Sequence, residues 1–491
     1  MKRFYEYLIL GVSLLVLAAG CRKGPSMDGL ALGYASYDVQ TAFLEEEETV
    51  LNVDTRLTVE SGGGLQGQLD YTLTVPTDAA ELVKKYNEVH GTGYELLPEG
   101  SYSIGTGTWL PSSINSRVPV TFYRSKVGEL SYLLPVRLSA DGVRIASGVT
   151  YIAAGKNFYT NPVIIQSCSD PTIMRAQDGT FYLAATEEGS YPYPSETQGL
   201  PIFRSDDLVN WNFGENGEDW DGTRVFNPKT DSEWGEGAGG LWAPELRYIA
   251  GKYVCYYSLI RNGSWDSTGW KTMDIGVATS ETPEGPYRNA HKLIDAEELG
   301  VLPSIDPFYY EEDGKHYMFW GTHPSGIWVT ELTEDGLDVK RDISGNPTLK
   351  QQIAGTNVAE GVVIYKRGGW YYFFGSMGSP TANENSTYHV VMGRSENLLG
   401  PYVTKDGGRL LDGNSELFVK TEGDLFAPGH NSIIIEDDRG QMWTAIHSYA
   451  DGEWSHGHPL SVMQIFLDED GWPYVPDNQV PRKALVPIFD K

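Results

Sequence analysis

From residue 161 to the end of the chain, apolar residues fall into short runs broken by glycine turns, and the arrangement recurs. Each unit opens on a polar or bulky residue, enters an apolar strand, turns at glycine and returns as a strand rich in Tyr, Phe or Trp. The first runs from Asp170 through Asp178-Gly179 to Phe181-Tyr-Leu-Ala184, the second from Trp242 through Gly251 to Ser258. The third runs from Asp306 through Gly314 to Trp320, the fourth from Glu360 through Gly368 to Gly375, and the fifth from His430 through Gly440 to Ala445. Opener and turn glycine are 9, 9, 8, 8 and 10 residues apart. Further short strands follow within units, such as Ile202–Ser205, Ile275–Ser280 and Val390–Ser395. Five units in this stretch allow about 66 residues each, enough for four short strands. Radial repetition of four-stranded sheets predicts a five-bladed β-propeller over 161–491, with the innermost strands lining its axis.

Residues 30–155 follow a different pattern. Leu65–Val75 alternates in part, as a half-buried strand does, and Ser131–Ser139 and Val149–Ala153 also suit strands. Asp78–Tyr86 suits one short helix capped by Thr77 or Asp78. The prediction is a β-sandwich accessory domain. The fold class is therefore all-β: a C-terminal five-bladed propeller preceded by a smaller β-sandwich with one short helix.

The start of the chain reads as an address. Lys2 and Arg3 precede an apolar run, Leu8–Ala19, too short to span a bilayer comfortably, which ends in Leu17-Ala-Ala-Gly-Cys21. This resembles a bacterial lipoprotein signal peptide over 1–20. Its cleavage would leave a lipid-modified Cys21 at the head of a linker, 21–29, anchoring the protein to a bacterial outer membrane. Arg22-Lys23-Gly24 after the cysteine leaves both the periplasmic and the cell-surface face open.

Composition narrows the partners. Against 37 Lys and Arg stand 66 Asp and Glu, a net charge of −29, which argues against nucleic acid and against a polybasic membrane patch. The 13 Trp, 30 Tyr and 16 Phe exceed what a core of this size needs, and aromatic faces also stack on sugar rings. Besides Cys21 only Cys168 and Cys255 remain, which is neither a disulfide framework nor a thiolate zinc site.

In a propeller the five openers Asp170, Trp242, Asp306, Glu360 and His430 converge on one cavity. A core would place Val or Leu there. Carboxylates held together split each other's pKa values, and glycoside hydrolysis uses that split: one acid protonates the leaving oxygen, one carboxylate activates water or attacks.

Ser169-Asp170-Pro171, Trp242-Ala-Pro-Glu245, Ser304-Ile-Asp306-Pro307, Ala359-Glu360-Gly361 and Gly429-His430-Asn-Ser432 resemble, in order, the motifs of glycoside hydrolase family 43. That resemblance implies a five-bladed propeller of inverting furanosidases and xylosidases. It implies Asp170 as general base, Glu360 as general acid, and Asp306 as the residue that orients the acid and raises its pKa. It makes Trp242 a sugar-stacking wall; Glu245 and His447 are further candidate substrate contacts. His430 matches a histidine that in many members faces a central calcium or a water, so it is the candidate metal ligand and a structural calcium the candidate cofactor, with none required for the chemistry. The sequence departs from the family at Val362, where proline is frequent, and at Gly457-His458, where many members carry Gly-Arg. Tyr86-Asn87, Tyr94–Pro98, Tyr102 and Leu133-Leu-Pro135 resemble domain-of-unknown-function family 1735, a module similar to those in front of glycan-processing lipoproteins.

The expected activity is hydrolysis of plant cell-wall polysaccharide or its oligosaccharides, releasing α-L-arabinofuranosyl or β-D-xylosyl residues, with endo or exo action open. The alternative is a non-catalytic glycan-binding lipoprotein on the same fold. Specificity is expected in the loops bearing Tyr191, Tyr193, Trp220, Trp234, Trp265 and Trp270, and around His447, Trp454, His456 and His458.

Overall fold

The computed structural model describes residues 29–59, 64–186, 200–213, 241–260 and 273–490. The signal peptide, Cys21 and all six loop aromatics named above lie outside the described residues. Two compact units are present. One holds the described residues up to Lys85 together with Tyr94–Asn157; the other holds Tyr86–Gly93 and everything from Phe158 onward.

The first unit is the expected β-sandwich. One sheet runs Arg144–Ile145, Leu30–Tyr34, Glu48–Val59, Ser116–Tyr123, Tyr102–Ile104; the other runs Gln40–Phe43, Val149–Gly155, Tyr132–Ala140, Leu69–Thr74, Thr106–Trp109. Alternation decides which face goes inward: Leu69, Tyr71 and Leu73 are buried while Asp70 and Thr74 are exposed. Val118, Val120, Phe122, Leu134 and Val136 complete an apolar core. The helix spans Ala79–His90, four residues further than its polar pattern predicts, and its residues from Tyr86 on are grouped with the second unit.

The second unit is the five-bladed propeller. Four sheets have four strands, and the last adds a short fifth piece. The innermost strands are Thr172–Arg175, Leu241–Ile249, Phe308–Glu312 and Glu360–Arg367, and in the fifth blade two pieces, Leu425–Gly429 and Ile435–Glu436, that pair with the same second strand. Second strands such as Met442–Ala450 are buried along their whole length, because each blade packs a neighbour on both faces. Between the second and third blades, for example, Ile249, Tyr256 and Val277 meet Tyr309, Met318 and Trp320. Closure joins distant parts of the chain: Phe158–Thr160 pairs with Lys483–Leu485. Buried Asn161 reinforces it by donating to the carbonyls of Val462 (2.8 Å) and Pro481 (2.7 Å). Cys168 and Cys255 are buried and form no disulfide among the described residues.

Candidate active site

At or beside the start of the first four innermost strands, and between the two inner pieces of the fifth, one residue adopts left-handed backbone geometry: Asp170, Ala243, Asp306, Gly361 and His430, with φ of 52°, 42°, 59°, 59° and 46°. In the second and fourth blades this residue follows the expected opener, so Trp242 and Glu360 stand one position earlier than the sequence repeat implied. A bulge after each takes up the difference. Four of the five N–H groups donate to a side chain at the end of the second strand of the preceding blade. Ala243 donates to Thr186 Oγ1 (2.8 Å), Asp306 to Ser258 Oγ (3.0 Å), and His430 to Ser376 Oγ (2.7 Å). Asp170 donates to His447 Nδ1 (3.0 Å), which links the last blade to the first. The fourth blade differs: Gly361 donates to the Asp306 carboxylate (3.0 Å), leaving Thr322, at the equivalent position, free to donate to Glu360 Oε2 (2.7 Å). Left-handed geometry at a non-glycine residue costs about 1–3 kcal/mol and persists where surrounding bonds dictate it.

The three carboxylates all act on one imidazole. His430 Nδ1 lies 3.0 Å from Asp170 Oδ1. Burial disfavours its charge, but Asp170 above all, with Asp306 and Glu360, holds its pKa up at about 9. Burial likewise opposes charge on Asp170. The His430 imidazolium, His447 and the Thr186 hydroxyl (2.6 Å from Oδ2) outweigh it and hold this carboxyl well below the usual range. Asp306 moves the other way, pushed up to about 8 by burial and by repulsion from Glu360 and Asp170, with His430 opposing. One cluster thus holds carboxyls whose proton affinities are driven apart, the arrangement that separates acid from base roles.

Glu360 is held from both sides. Tyr388 donates to Oε1 (2.8 Å) and Thr322 to Oε2, while His323 Nε2 approaches Oε2 to 3.5 Å. Two motif glycines make room for these rings. A Cβ on Gly429 would meet the Tyr388 ring at 1.9 Å, and one on Gly361 would meet His430 at 2.9 Å. Tyr388, Thr322, Thr186, Ser258, Ser376 and His323 were not among the sequence-predicted residues. A signal for five of the ring positions was present: Thr186, Ser258, Ser376 and His447 stand seven residues after Gly179, Gly251, Gly369 and Gly440, and Thr322 eight after Gly314.

The other candidates are placed as follows. Trp242 is partly exposed and packs against Ile260, Met273 and Ile305. Glu245, expected as a sugar contact, is instead structural. It is buried, ion-paired with Arg247, and accepts from Thr172 Oγ1 (2.8 Å) and the Tyr309 N–H (3.1 Å). His447, also expected as a sugar contact, is 1 % exposed and acts as the acceptor for the Asp170 N–H. Burial and neighbouring His458 hold its pKa well below the usual value, which keeps Nδ1 unprotonated for that bond. Its ring stacks on Tyr388 and on His458. His458 is fixed by Ser169 Oγ (2.6 Å) and the Pro380 carbonyl (3.0 Å). Val362 is a buried core residue.

The expected metal ligand, His430, is committed to an ion pair with Asp170 through Nδ1, leaving Nε2 as its one atom for a metal. Calcium takes about 6–8 oxygen ligands. Among the described residues no three His, Cys, Asp or Glu side chains are arranged to hold a metal. The residues present do not fit a calcium cage of protein ligands.

A propeller that gathers carboxyls from several blades defines a class, and comparison with known proteins gives the family. The model for glycosyl hydrolases family 43 matches residues 159–473. The chain belongs to that family and is a glycosidase. A second model, described as an N-terminal domain, matches residues 30–144. The chain is similar to an extracellular exo-α-(1→5)-L-arabinofuranosidase of Cellvibrio japonicus, at 28% identity over 63% of this chain and 87% of the relative. It is also similar to a probable arabinan endo-1,5-α-L-arabinosidase C of Aspergillus clavatus, at 28% identity over 66% of this chain and 97% of the relative. Among solved structures, the α-L-arabinanase of Cellvibrio cellulosa complexed with arabinohexaose aligns with a TM-score of 0.49 and 26% identity, covering 63% of this chain and 96% of that one.

Proposed function

We propose that this glycosidase is an inverting enzyme acting on arabinan or its oligosaccharides and releasing α-L-arabinofuranosyl residues. The observation that carries the mechanism is the group of three carboxyls around His430, with Asp170 held ionised and Asp306 driven toward protonation. Asp170, paired with His430, takes a proton from water as that water attacks the anomeric carbon. Glu360 gives its proton to the departing glycosidic oxygen as the C–O bond breaks. Asp306, bonded to the N–H of Gly361, fixes the backbone beside Glu360. Trp242 offers a wall for the sugar ring. The substrate class is supported by the printed names of the relatives, which act on arabinan or release arabinofuranose.

The test is purified protein on a panel of arabinan, arabino-oligosaccharides, arabinoxylan and xylosides, with Asp170→Asn alongside. Arabinose or arabino-oligosaccharide release is expected, with kcat lowered by about 10²–10⁴ in the variant, the range for loss of a general base. Release of xylose alone would overturn the substrate; equal rates in the two proteins would overturn the mechanism. We also propose export with a lipid on Cys21, in keeping with relatives named extracellular. Labelled palmitate entering the wild type and absent from Cys21→Ser is the expected result.

A further inference from the structure

His323 belongs to none of the family-like motifs, yet stands beside the group read as the acid. It is the first residue of the tight turn joining Lys315–Thr322 to Gly326–Leu332. The backbone packs closely at both ends of that turn. A Cβ at Gly321 would lie 2.1 Å from the Gly326 carbonyl, and one at Gly326 would lie 2.6 Å from the Ala354 carbonyl. The Ser325 N–H closes it on the Thr322 carbonyl (3.1 Å), and the His323 carbonyl accepts from the Asn357 N–H (2.7 Å). The imidazole is thereby aimed. Nε2 is buried, has no hydrogen-bond partner among the described residues, and lies 3.5 Å from Glu360 Oε2, while the side chain keeps 24% of its surface exposed. An orphaned buried nitrogen carries a cost that a structural role would have removed.

We propose that His323 is a positioning residue for Glu360, donating an Nε2–H hydrogen bond to the charge that develops on Oε2 as the acid's proton passes to the leaving oxygen. The inference rests on the reading of Glu360 as general acid. Tyr388 and Thr322 already hold the carboxyl before reaction, one hydroxyl to each oxygen. The contact from His323 is too long to be a bond at rest and strengthens only as the carboxylate forms, so its effect falls on the transition state rather than on substrate binding. Catalytic hydrogen bonds of this kind are often long in the free enzyme. Proton and bond balance is unchanged: the glycosidic C–O bond breaks, the Glu360 proton goes to the leaving oxygen, and His323 keeps its own proton.

The distinguishing readout is the leaving group. A sugar leaving group needs its proton early; a dinitrophenolate needs almost none. His323→Phe, which keeps the ring volume, and His323→Gln, which keeps a donor, are compared with wild type and Glu360→Gln. The substrates are the best oligosaccharide of the panel above and the 2,4-dinitrophenyl glycoside of the same sugar. For His323→Phe the expected result is a tenfold or greater fall in kcat on the oligosaccharide, KM little changed, and less than a twofold fall on the dinitrophenyl glycoside, with partial recovery in His323→Gln. An equal fall on both substrates, or no fall on either, would overturn the proposal. If Glu360→Gln itself falls equally on both, the assignment of the acid fails instead.

Discussion

Asp170 and Asp306 carry the same side chain within one cluster of interacting groups, and their surroundings give them opposite tendencies. Asp170 touches His430 and a Thr186 hydroxyl; Asp306 is buried at 7 % exposure and receives one backbone N–H. These differences have consequences for stability. His430, held up at about 9 against roughly 6.5 when unfolded, contributes stability that is complete below that unfolded value and is lost as pH rises toward 9. Asp306, raised to about 8 from roughly 4, likewise costs stability as pH rises through 4 to 8. His447 and Asp170 are lowered, so their contributions are lost on the acid side. The unfolding midpoint is therefore expected to drop between about pH 6.5 and 9, and Asp306→Asn to flatten part of that drop. A midpoint rising across this window in a differential scan would contradict the charge assignment. Gly361 gives a second expectation: Gly361→Ala puts a methyl against His430 at φ 59° and should cost about 1–3 kcal/mol in denaturant unfolding together with most of the activity. At this scale the sequence was legible where a carboxylate opened a repeat. It misled at Glu245, because Arg247, two residues on, shares its strand face and takes up the carboxylate. Tyr388 and His323 escaped notice because they sit beyond the second strand, where no repeat marks them.

The blade is built twice over: by its own ladder, and by the bond from the end of its second strand to the head of the next blade. Thr186, Ser258 and Ser376 supply that bond with a hydroxyl, and His447 with an imidazole nitrogen. His447→Ala removes the acceptor for the buried Asp170 N–H and should cost about 1–3 kcal/mol. His447→Ser restores the group used elsewhere in the ring and is expected to recover part of that stability. Equal destabilisation of the two variants in urea titrations would mean that ring stacking with Tyr388 and His458, not the hydrogen bond, is what His447 provides. The strands themselves were readable from apolar runs and turn glycines. The bulges at Trp242 and Glu360 were not, since a bulge shifts register without changing the pattern of apolar residues.

Across the molecule, function depends on ring closure, because each catalytic candidate comes from a different blade. Asp170, Asp306, Glu360 and His430 belong to the first, third, fourth and fifth, and pairing of Phe158–Thr160 with Lys483–Leu485 joins the ends of that ring. The number of blades followed from the repeat length, and the shared axis from the number of blades; the polar shell around the axis required coordinates. In the proposed mechanism Asp170 activates water while Glu360 protonates the leaving group in a single displacement. The most direct measurement is proton NMR of the first-formed product from an α-linked arabino-oligosaccharide, read before mutarotation. The account predicts that the β-anomer appears first and the α-anomer grows in later. Initial appearance of the α-anomer would mean a covalent intermediate and would contradict it.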